Sequence, residues 1–457
     1  MKVSDFFEYM KPGKRGHLVG IGGVSMSALG EVLFSMGLNI SGSDMNESET
    51  VQALRKKGIN VICGHFPENV DGVDFVVRTA AVHDDNPEIA AARAKGIPVF
   101  ERTQAWGAIM RGYKNAICVA GTHGKTTTTS MITHILMSAQ KDPTVMIGGT
   151  LPLLKSGYRV GAGDTIVLES CEYYNSFHSF VPTIAVILNI DADHLDFFRD
   201  IEDIKHSFAV FAGNVPEGGY IVANADDRNT MDSIKDIKGR HIVTFGINSK
   251  ADVMAKNIVP GRIMSFDLVY RGSTVSHIEL KIGGRHNVYD ALAASAAALV
   301  YGASPEKITE GLSQFRGAGR RIEFKGTCNG ADVYDDYAHH PNELRATLEA
   351  VHEMGYERVI CAFQPHTYSR TKALFDDFVA ALSLADKAYL AEIYAAREKN
   401  TMGISSKDIA DRVPGAVYCS SFEELEKALR EEARPGDIIL TIGAGDVYKV
   451  GEQIIEK

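Results

Sequence analysis

The string Gly121-Thr122-His123-Gly124-Lys125-Thr126 constrains this chain more than any other. It follows the apolar run Ala116-Ile117-Cys118-Val119-Ala120 and precedes a stretch, Thr127 to Met137, that reads as a helix. Strand, glycine loop and helix in that order turn backbone N–H groups inward, and the helix N-terminus favours an anion. Gly121, Thr122, His123, Gly124 and Thr127 then surround phosphates. Lys125 sets a positive charge against the β- and γ-phosphates, and Thr126 offers a hydroxyl to magnesium. The spacing is a short variant, because G-x-x-x-x-G-K-[ST] would require a glycine at Val119. The expectation is a nucleotide-binding α/β protein that uses ATP and Mg2+.

At 457 residues there is room for two to four domains, each with its own core. The 58 acidic residues outnumber the 48 basic ones, and no basic stripe appears, so nucleic acid is not an expected partner. The six cysteines form no CxxC pair. That points to neither zinc nor a disulfide framework and fits a reducing compartment. The N-terminal MKVSDFFEYMKPGKRG carries acids and no long apolar region, unlike a secretion signal. The longest apolar stretch, Ala291 to Val300, is too short to span a bilayer. A cytoplasmic protein without membrane insertion is expected, as a monomer or weak homodimer.

Three α/β segments follow one another, at about 1–111, 112–316 and 317–457. In the first, His17-Leu18-Val19, Leu38 to Gly42, Phe75-Val76-Val77 and Ile97 to Phe100 read as strands between helical stretches. That alternation predicts a parallel, doubly wound sheet. In the second, strands are expected at Thr165 to Leu168 and Thr183 to Leu188. Its region 240–282 alternates in strand fashion and suggests an antiparallel excursion, and an alanine-rich helix follows from about Val288 to Tyr301. The third offers strands at Ala331 to Tyr334, Val359 to Phe363, Lys387 to Leu390 and Ile438 to Thr441. A helix near Phe422 to Glu431 opens on a capping box, Ser421 to Glu424.

Polar clusters sit at the ends of these strands. Gly20-Ile21-Gly22-Gly23 resembles a dinucleotide fingerprint with Ser25 at the third glycine, and Ser43-Asp44 closes the next strand at the ribose-binding spacing. NAD is the default ligand for such glycines, although any diphosphate suits them. Glu169 and Glu172 follow a strand beside the phosphate loop, where a carboxylate partners Thr126 on a metal. Asp191-Ala192-Asp193-His194-Leu195-Asp196 follows another, with His194 a candidate metal ligand. Asn287, in Gly284-Arg285-His286-Asn287, reads as a helix N-cap or as a ligand contact. Arg320-Arg321, near the third segment, can close over phosphates. Asp335-Asp336-Tyr337-Ala338-His339-His340-Pro341 and Gln364-Pro365-His366-Thr367-Tyr368-Ser369-Arg370 are dense in polar groups. The tandem histidines have no nearby cysteine, so zinc is not expected.

Taken together, GTHGKTTT, NIDADHLD, GRHN with its alanine helix, GAGRRIEF, DDYAHHP and FQPHTYSRT resemble the Mur ligases of peptidoglycan synthesis, in order and along nearly the whole chain. The resemblance implies three domains: a Rossmann-like one holding a UDP-sugar, a P-loop ATPase-like centre and a Rossmann-like C-terminal domain. Within the family, the N-terminal GIGGVSMSALGEVL and the last two strings resemble the branch that joins L-alanine to UDP-N-acetylmuramate.

By that resemblance Gly20, Gly22, Gly23, Ser43 and Asp44 bind the UDP-sugar. Lys125 cradles the ATP phosphates. Thr126 and Glu172 hold magnesium, with Glu169 as second choice, and His194 binds another magnesium. His286 and Asn287 approach adenine, Arg321 the transferring phosphate, and Asp336 with the DDYAHHP loop the ribose or the reacting groups. His339, His366 and Arg370 orient the alanine or the muramyl carboxylate. The chain departs from the family at LESCEYYNSF, where many alanine-adding members carry Asp-Glu-Ser-Asp. Asp290 stands where asparagine is common and Thr367 where arginine is frequent. Ser207-Phe208-Ala209 occupies the stretch where some relatives carry a carbamylated lysine, so that modification is not expected.

The chemistry implied is activation of a carboxylate as an acyl phosphate, then attack by the alanine amine, with His194 or His339 as the base. Magnesium, Lys125 and Arg321 offset the repulsion between two anions. Three rivals remain: a related ligase that adds a peptide, an oxidoreductase resting on the N-terminal glycines, and a non-catalytic nucleotide-binding regulator.

Overall fold

Short Val-, Ile- and Ala-rich runs, most closed by Gly, Asn, Asp or Glu, become the parallel strands of three sheets. The computed structural model describes residues 2–79, 81–195, 197–261, 263–396 and 398–455. The first sheet is built from β1 (Arg15–Val19), α1 (Val24–Ser35), β2 (Asn39–Asp44), α2 (Glu49–Lys56), β3 (Asn60–Cys63), β4 (Phe75–Arg78), α3 (Pro87–Ala94), β5 (Val99–Glu101) and α4 (Arg102–Met110). Its order is β3-β2-β1-β4-β5, and every pairing is parallel. The order reverses at β1, so the loop after it, Gly20 to Gly23, opens at the switch point where ligands of such sheets gather. β3 was not expected from sequence: it has four residues, and only Val61 is buried apolar surface.

The second sheet contains β6 (Asn115–Ala120), β7 (Thr144–Leu151), β8 (Ser156–Arg159), β9 (Thr165–Glu169), β10 (Ile184–Ile187), β11 (Tyr220–Asn224), β12 (His241–Gly246), β13 (Val253–Val259), β14 (Met264–Tyr270) and β15 (Ser273–Leu280). Its order is β15-β14-β13-β12-β11-β10-β6-β9-β7-β8. The antiparallel excursion expected at 240–282 is present beyond its first strand. β12 pairs parallel with β11 and with β13. The two-residue link between neighbours β14 and β15 permits only an antiparallel turn, and a further antiparallel pair, β7–β8, lies at the opposite edge. After β6, α5 (Lys125–Ser138) buries its threonine run. Thr129 and Thr133 donate to the carbonyls four residues back, at 2.7 and 2.8 Å, which satisfies their hydroxyls out of water.

The third sheet runs β16 (Glu323–Cys328), β17 (Ala331–Asp336), β18 (Arg358–Phe363), β19 (Lys387–Leu390), β20 (Val417–Tyr418) and β21 (Asp437–Ile442), in the order β16-β17-β21-β18-β19-β20. All its pairings are parallel except β16 with β17. The helix Phe422–Glu432 is capped by Ser421, whose Oγ accepts from Glu424 N at 3.2 Å. The expected capping box is only half made, because the Glu424 carboxylate accepts from Ser420 N.

The chain forms two compact units, one of residues 1–255, 268–276 and 289–312, the other of 256–267, 277–288 and 313–457. In the first, Phe6, Trp106, Phe177 and Phe208 belong to one continuous apolar core. In the second, Phe363 and Leu440 line one core of the third sheet, and Ile360 and Ile439 another. Among the described residues no helix is long and apolar enough to cross a membrane.

Candidate active site

The phosphate loop is locked by its neighbours in the first unit. Gly124 precedes α5 with φ of +83°, and a Cβ there would lie 2.4 Å from Asp290 Oδ1, so conformation and contact both demand glycine. Thr128 Oγ1 donates to the same Asp290 oxygen at 3.1 Å. Asn189, just beyond β10, clamps the loop from the other side. Its Oδ1 accepts from His123 N at 2.8 Å and its Nδ2 donates to His123 O at 3.2 Å. Thr122 N donates to Asn189 O, and Thr122 Oγ1 accepts from Asp191 N.

Two glutamates three residues apart take different partners. Glu172 lies 3.2 Å from Lys125 Nζ, which also donates to Gly121 O at 2.5 Å and Thr122 O at 3.0 Å. Burial opposes the ammonium charge, but Glu172 and Glu169 outweigh it and hold Lys125 above its ordinary value. Glu169 instead accepts from Thr126 Oγ1 at 3.1 and 3.0 Å and from Gly148 N at 2.7 Å. A Cβ on Gly148 would come within 2.6 Å of that carboxylate. His194, with φ of +53°, stacks on Tyr173 at 4.3 Å and places Nε2 3.9 Å from Glu172. Tyr174 and Asn175 are also left-handed, which marks the turn after Glu172 as strained.

The donors suit Mg2+, which takes hydroxyl and carboxylate oxygens and completes its shell with phosphate and water. Among the described residues no three His, Cys, Asp or Glu side chains group closely enough to hold a metal unaided. Asp196 lies outside the described residues.

At the first sheet, Asp44 Oδ2 accepts from Gly22 N at 2.9 Å, and Ser43 O accepts from Gly20 N and Ile21 N at 2.8 and 3.0 Å. The Ser43 hydroxyl points inward to Glu88, 2.7 Å away, so its backbone shapes the loop. Gly23 N donates to Gly20 O and closes the turn.

In the second unit, helix Arg285–Tyr301 starts at Arg285, so Asn287 is not its N-cap. The Asn287 amide donates to Gly283 O at 2.6 Å. Burial, with Arg321 nearby, pulls His286 down to about 4. Arg321 lies 5.4 Å over the Tyr337 ring. Arg320 is committed to the fold, with Nε 2.8 Å from Asp335. Asp336 is 3% exposed, and its oxygens accept from Ile322 N and Ala338 N. These contacts brace the Arg321 turn. His339 and His366 meet edge to face at 5.8 Å, and Arg370 lies 3.4 Å from His366 Nδ1. Burial first, then His339 and Arg370, lowers His366 to about 4. Thr367 holds φ of +67°, unusual for a β-branched residue, with its N–H bound to Tyr394 O.

Four residues escaped the sequence reading. Asn189 and Gly148 act through backbone contacts. Glu88 is a buried carboxylate within 2.7 Å of His65 Nδ1. Arg102 lines a cavity of about 650 Å³ with Arg78, Gln104, Tyr174 and Asn175. Asn189 carried a signal, as a polar residue ending an apolar strand beside the acidic cluster.

The Mur ligase family, catalytic domain, matches residues 15–114, the Mur ligase middle domain 119–298, and the Mur ligase glutamate ligase domain 320–445. A UDP-N-acetylmuramate–L-alanine ligase of Caldanaerobacter subterraneus is 47% identical over 97% of this chain and 98% of its own. One from Agathobacter rectalis is 48% identical over 96% and 97%. The solved UDP-N-acetylmuramate-alanine ligase of Thermotoga maritima superposes with a TM-score of 0.81 at 31% identity, covering 96% of this chain and 98% of that one. With three domain matches in series and relatives alike from end to end, the chain belongs to the Mur ligase family.

Proposed function

We propose that this protein is an ATP-dependent ligase that joins L-alanine to the carboxylate of UDP-N-acetylmuramate through an acyl phosphate, in peptidoglycan precursor synthesis in the cytoplasm. One observation carries the reading. A phosphate loop whose lysine and threonine each face their own glutamate stands in a chain 47% identical, over 97% of its length, to an alanine ligase. In this reading residues 1–111 bind the UDP-sugar, 112–316 bind ATP and 317–457 complete the ligase site.

Lys125 leaves the Gly121 and Thr122 carbonyls for the γ-phosphate and neutralises it as it nears the carboxylate. Mg2+, held by Thr126 and Glu169 with Glu172 and His194 close by, supplies further charge neutralisation when bound. Arg321 meets the transferring phosphoryl group. His366, neutral at pH 7, accepts a hydrogen bond from the alanine ammonium while Arg370 holds its carboxylate. Positioning of three substrates supplies much of the rate.

The test is ADP release with UDP-N-acetylmuramate, ATP, Mg2+ and L-alanine, and with each omitted in turn. Release that needs all four supports the reading. Release with a tripeptide in place of alanine supports the peptide-adding rival. Reduction of a nicotinamide cofactor would favour the oxidoreductase.

A further inference from the structure

The cavity of about 650 Å³ in the first unit is lined by Arg102, a cation that no carboxylate among the described residues pairs by hydrogen bond or ion pair. Arg78 also lines it, but its Nε lies 2.7 Å from Glu101 and its NH1 2.5 Å from Asp84, so that guanidinium is spent. Arg102, the first residue of α4, is only partly exposed and makes no hydrogen bond or ion pair with any described residue. Burial pulls its guanidinium below the ordinary value, with only Cys171 and Glu101 acting the other way. Glu101 is already bound to Arg78. The Cys171 thiol, pushed up to about 11 by burial and by Glu172, carries no charge at neutral pH. A desolvated cation without a counterion is costly, and a fold keeps one where a ligand anion completes it.

Its position says which anion. One turn further along α4, Trp106 Nε1 donates to Ser25 Oγ at 3.2 Å, which ties this helix to the start of α1, just past the Gly20–Gly23 loop. Tyr174 and Asn175, which line the cavity with Arg102, follow Glu172 by two and three residues. Arg102 therefore shares its cavity with the turn that follows Glu172, the carboxylate beside Lys125. Gln104 and Asn175 add neutral polar groups to the wall. A planar guanidinium matches a carboxylate through two parallel N–H···O bonds.

We propose that Arg102 holds the acid group of the sugar nucleotide, the group to be phosphorylated, inside this cavity; this rests on the ligase reading above. The diphosphate of the same substrate is left to the glycine loop. Arg102 is then a specificity residue that separates an acid-bearing sugar nucleotide from its neutral counterpart.

The test measures binding by titration calorimetry for the wild type, R102Q and R102K, with UDP-N-acetylmuramate and with UDP-N-acetylglucosamine, which lacks the acid group. Loss of a charge-assisted pair weakens the first ligand by about 10- to 100-fold in R102Q. The second ligand should change less than about twofold, and R102K should recover part of the loss. Equal weakening of both ligands, or no weakening of either, overturns the proposal. A wild type that binds the neutral sugar nucleotide as well as the acidic one overturns it while leaving the glycine-loop site standing. A wild type that binds neither brings down the ligase reading as well.

Discussion

Thr126 Oγ1 lies 3.0 Å from the Glu169 carboxylate, whereas the next residue back, Lys125, turns to Glu172 at 3.2 Å. The sheet edge therefore separates an oxygen pair suited to a cation from an ammonium–carboxylate pair. Replacing Glu169 with Gln should raise the Mg2+ concentration for half-maximal ADP release by about 10- to 100-fold. Gly148→Ala should act in the same direction, since its Cβ would press on the same carboxylate. E172Q should lower the maximal rate more than it shifts the Mg2+ requirement. A Mg2+ titration of the three variants that found E172Q alone shifted would reverse the assignment.

Lys125 is pinned by two loop carbonyls and Glu172 until phosphate replaces them. K125A removes the charge that offsets the meeting of carboxylate and triphosphate. Turnover should fall by at least about 1,000-fold, a loss of about 4 kcal/mol of transition-state stabilisation. The UDP-sugar dissociation constant should stay within about twofold. Single-turnover ADP formation and calorimetry separate the two effects. Near-normal turnover would remove the phosphate loop from the mechanism.

Much of this arrangement was legible because it is local. A glycine loop between an apolar strand and a helix can be read from eight residues, and the acids at Glu169 and Glu172 follow from where a parallel strand must end. What stayed hidden depends on partners far away in the chain. Asp290 and Gly124 meet across 166 positions only once the alanine-rich helix has packed. Arg102 carries no signal in the sequence, and its having no hydrogen-bond or ion-pair partner among the described residues emerges only from the fold. Parallel pairing of His241–Gly246 was missed because alternation of apolar residues reports a half-exposed strand and not its direction. The bracing of the Ile322 and Ala338 N–H groups by Asp336 likewise emerges only once the third sheet has formed.

His286 gives a pH signature. Its value in the fold is about 4 against an ordinary 6.5, because burial, aided by Arg321, opposes the charged ring. The unfolded chain therefore binds the proton first as pH falls. Stability is fully present above about 6.5 and declines as pH drops from there towards about 4. At pH 5 the loss is about 1–2 kcal/mol after allowing for partial exposure. H286Q should lose less stability than the wild type between pH 7 and pH 5, measured by urea denaturation. Parallel curves for the two proteins would show that another group sets the acid limb.

Glu88 is the hub of the first sheet. Its carboxylate lies 3.2 Å from His17 Nε2, 2.7 Å from His65 Nδ1, 2.6 Å from Asn69 Nδ2 and 2.7 Å from Ser43 Oγ, and it is fully buried. Burial pushes its value up, but His17, Asn69 and Ser43 outweigh that and leave it below 4.5. E88Q puts an amide N–H₂ against groups that already donate, at a cost of about 2–4 kcal/mol. Because Ser43 O carries the N–H groups of Gly20 and Ile21, the same variant should weaken UDP-sugar binding and leave ATP binding unchanged. The sign with pH follows from the lowered carboxylate. Its contribution is present above about 4.5 and disappears as pH falls through its value in the fold, so the stability gap between wild type and E88Q should narrow below pH 4.5. Denaturation curves at pH 7 and pH 4, with calorimetry for the two nucleotides, check both halves. A gap that stays constant across that range would mean that Glu88 is held as a neutral acid and that the loop takes its shape from elsewhere.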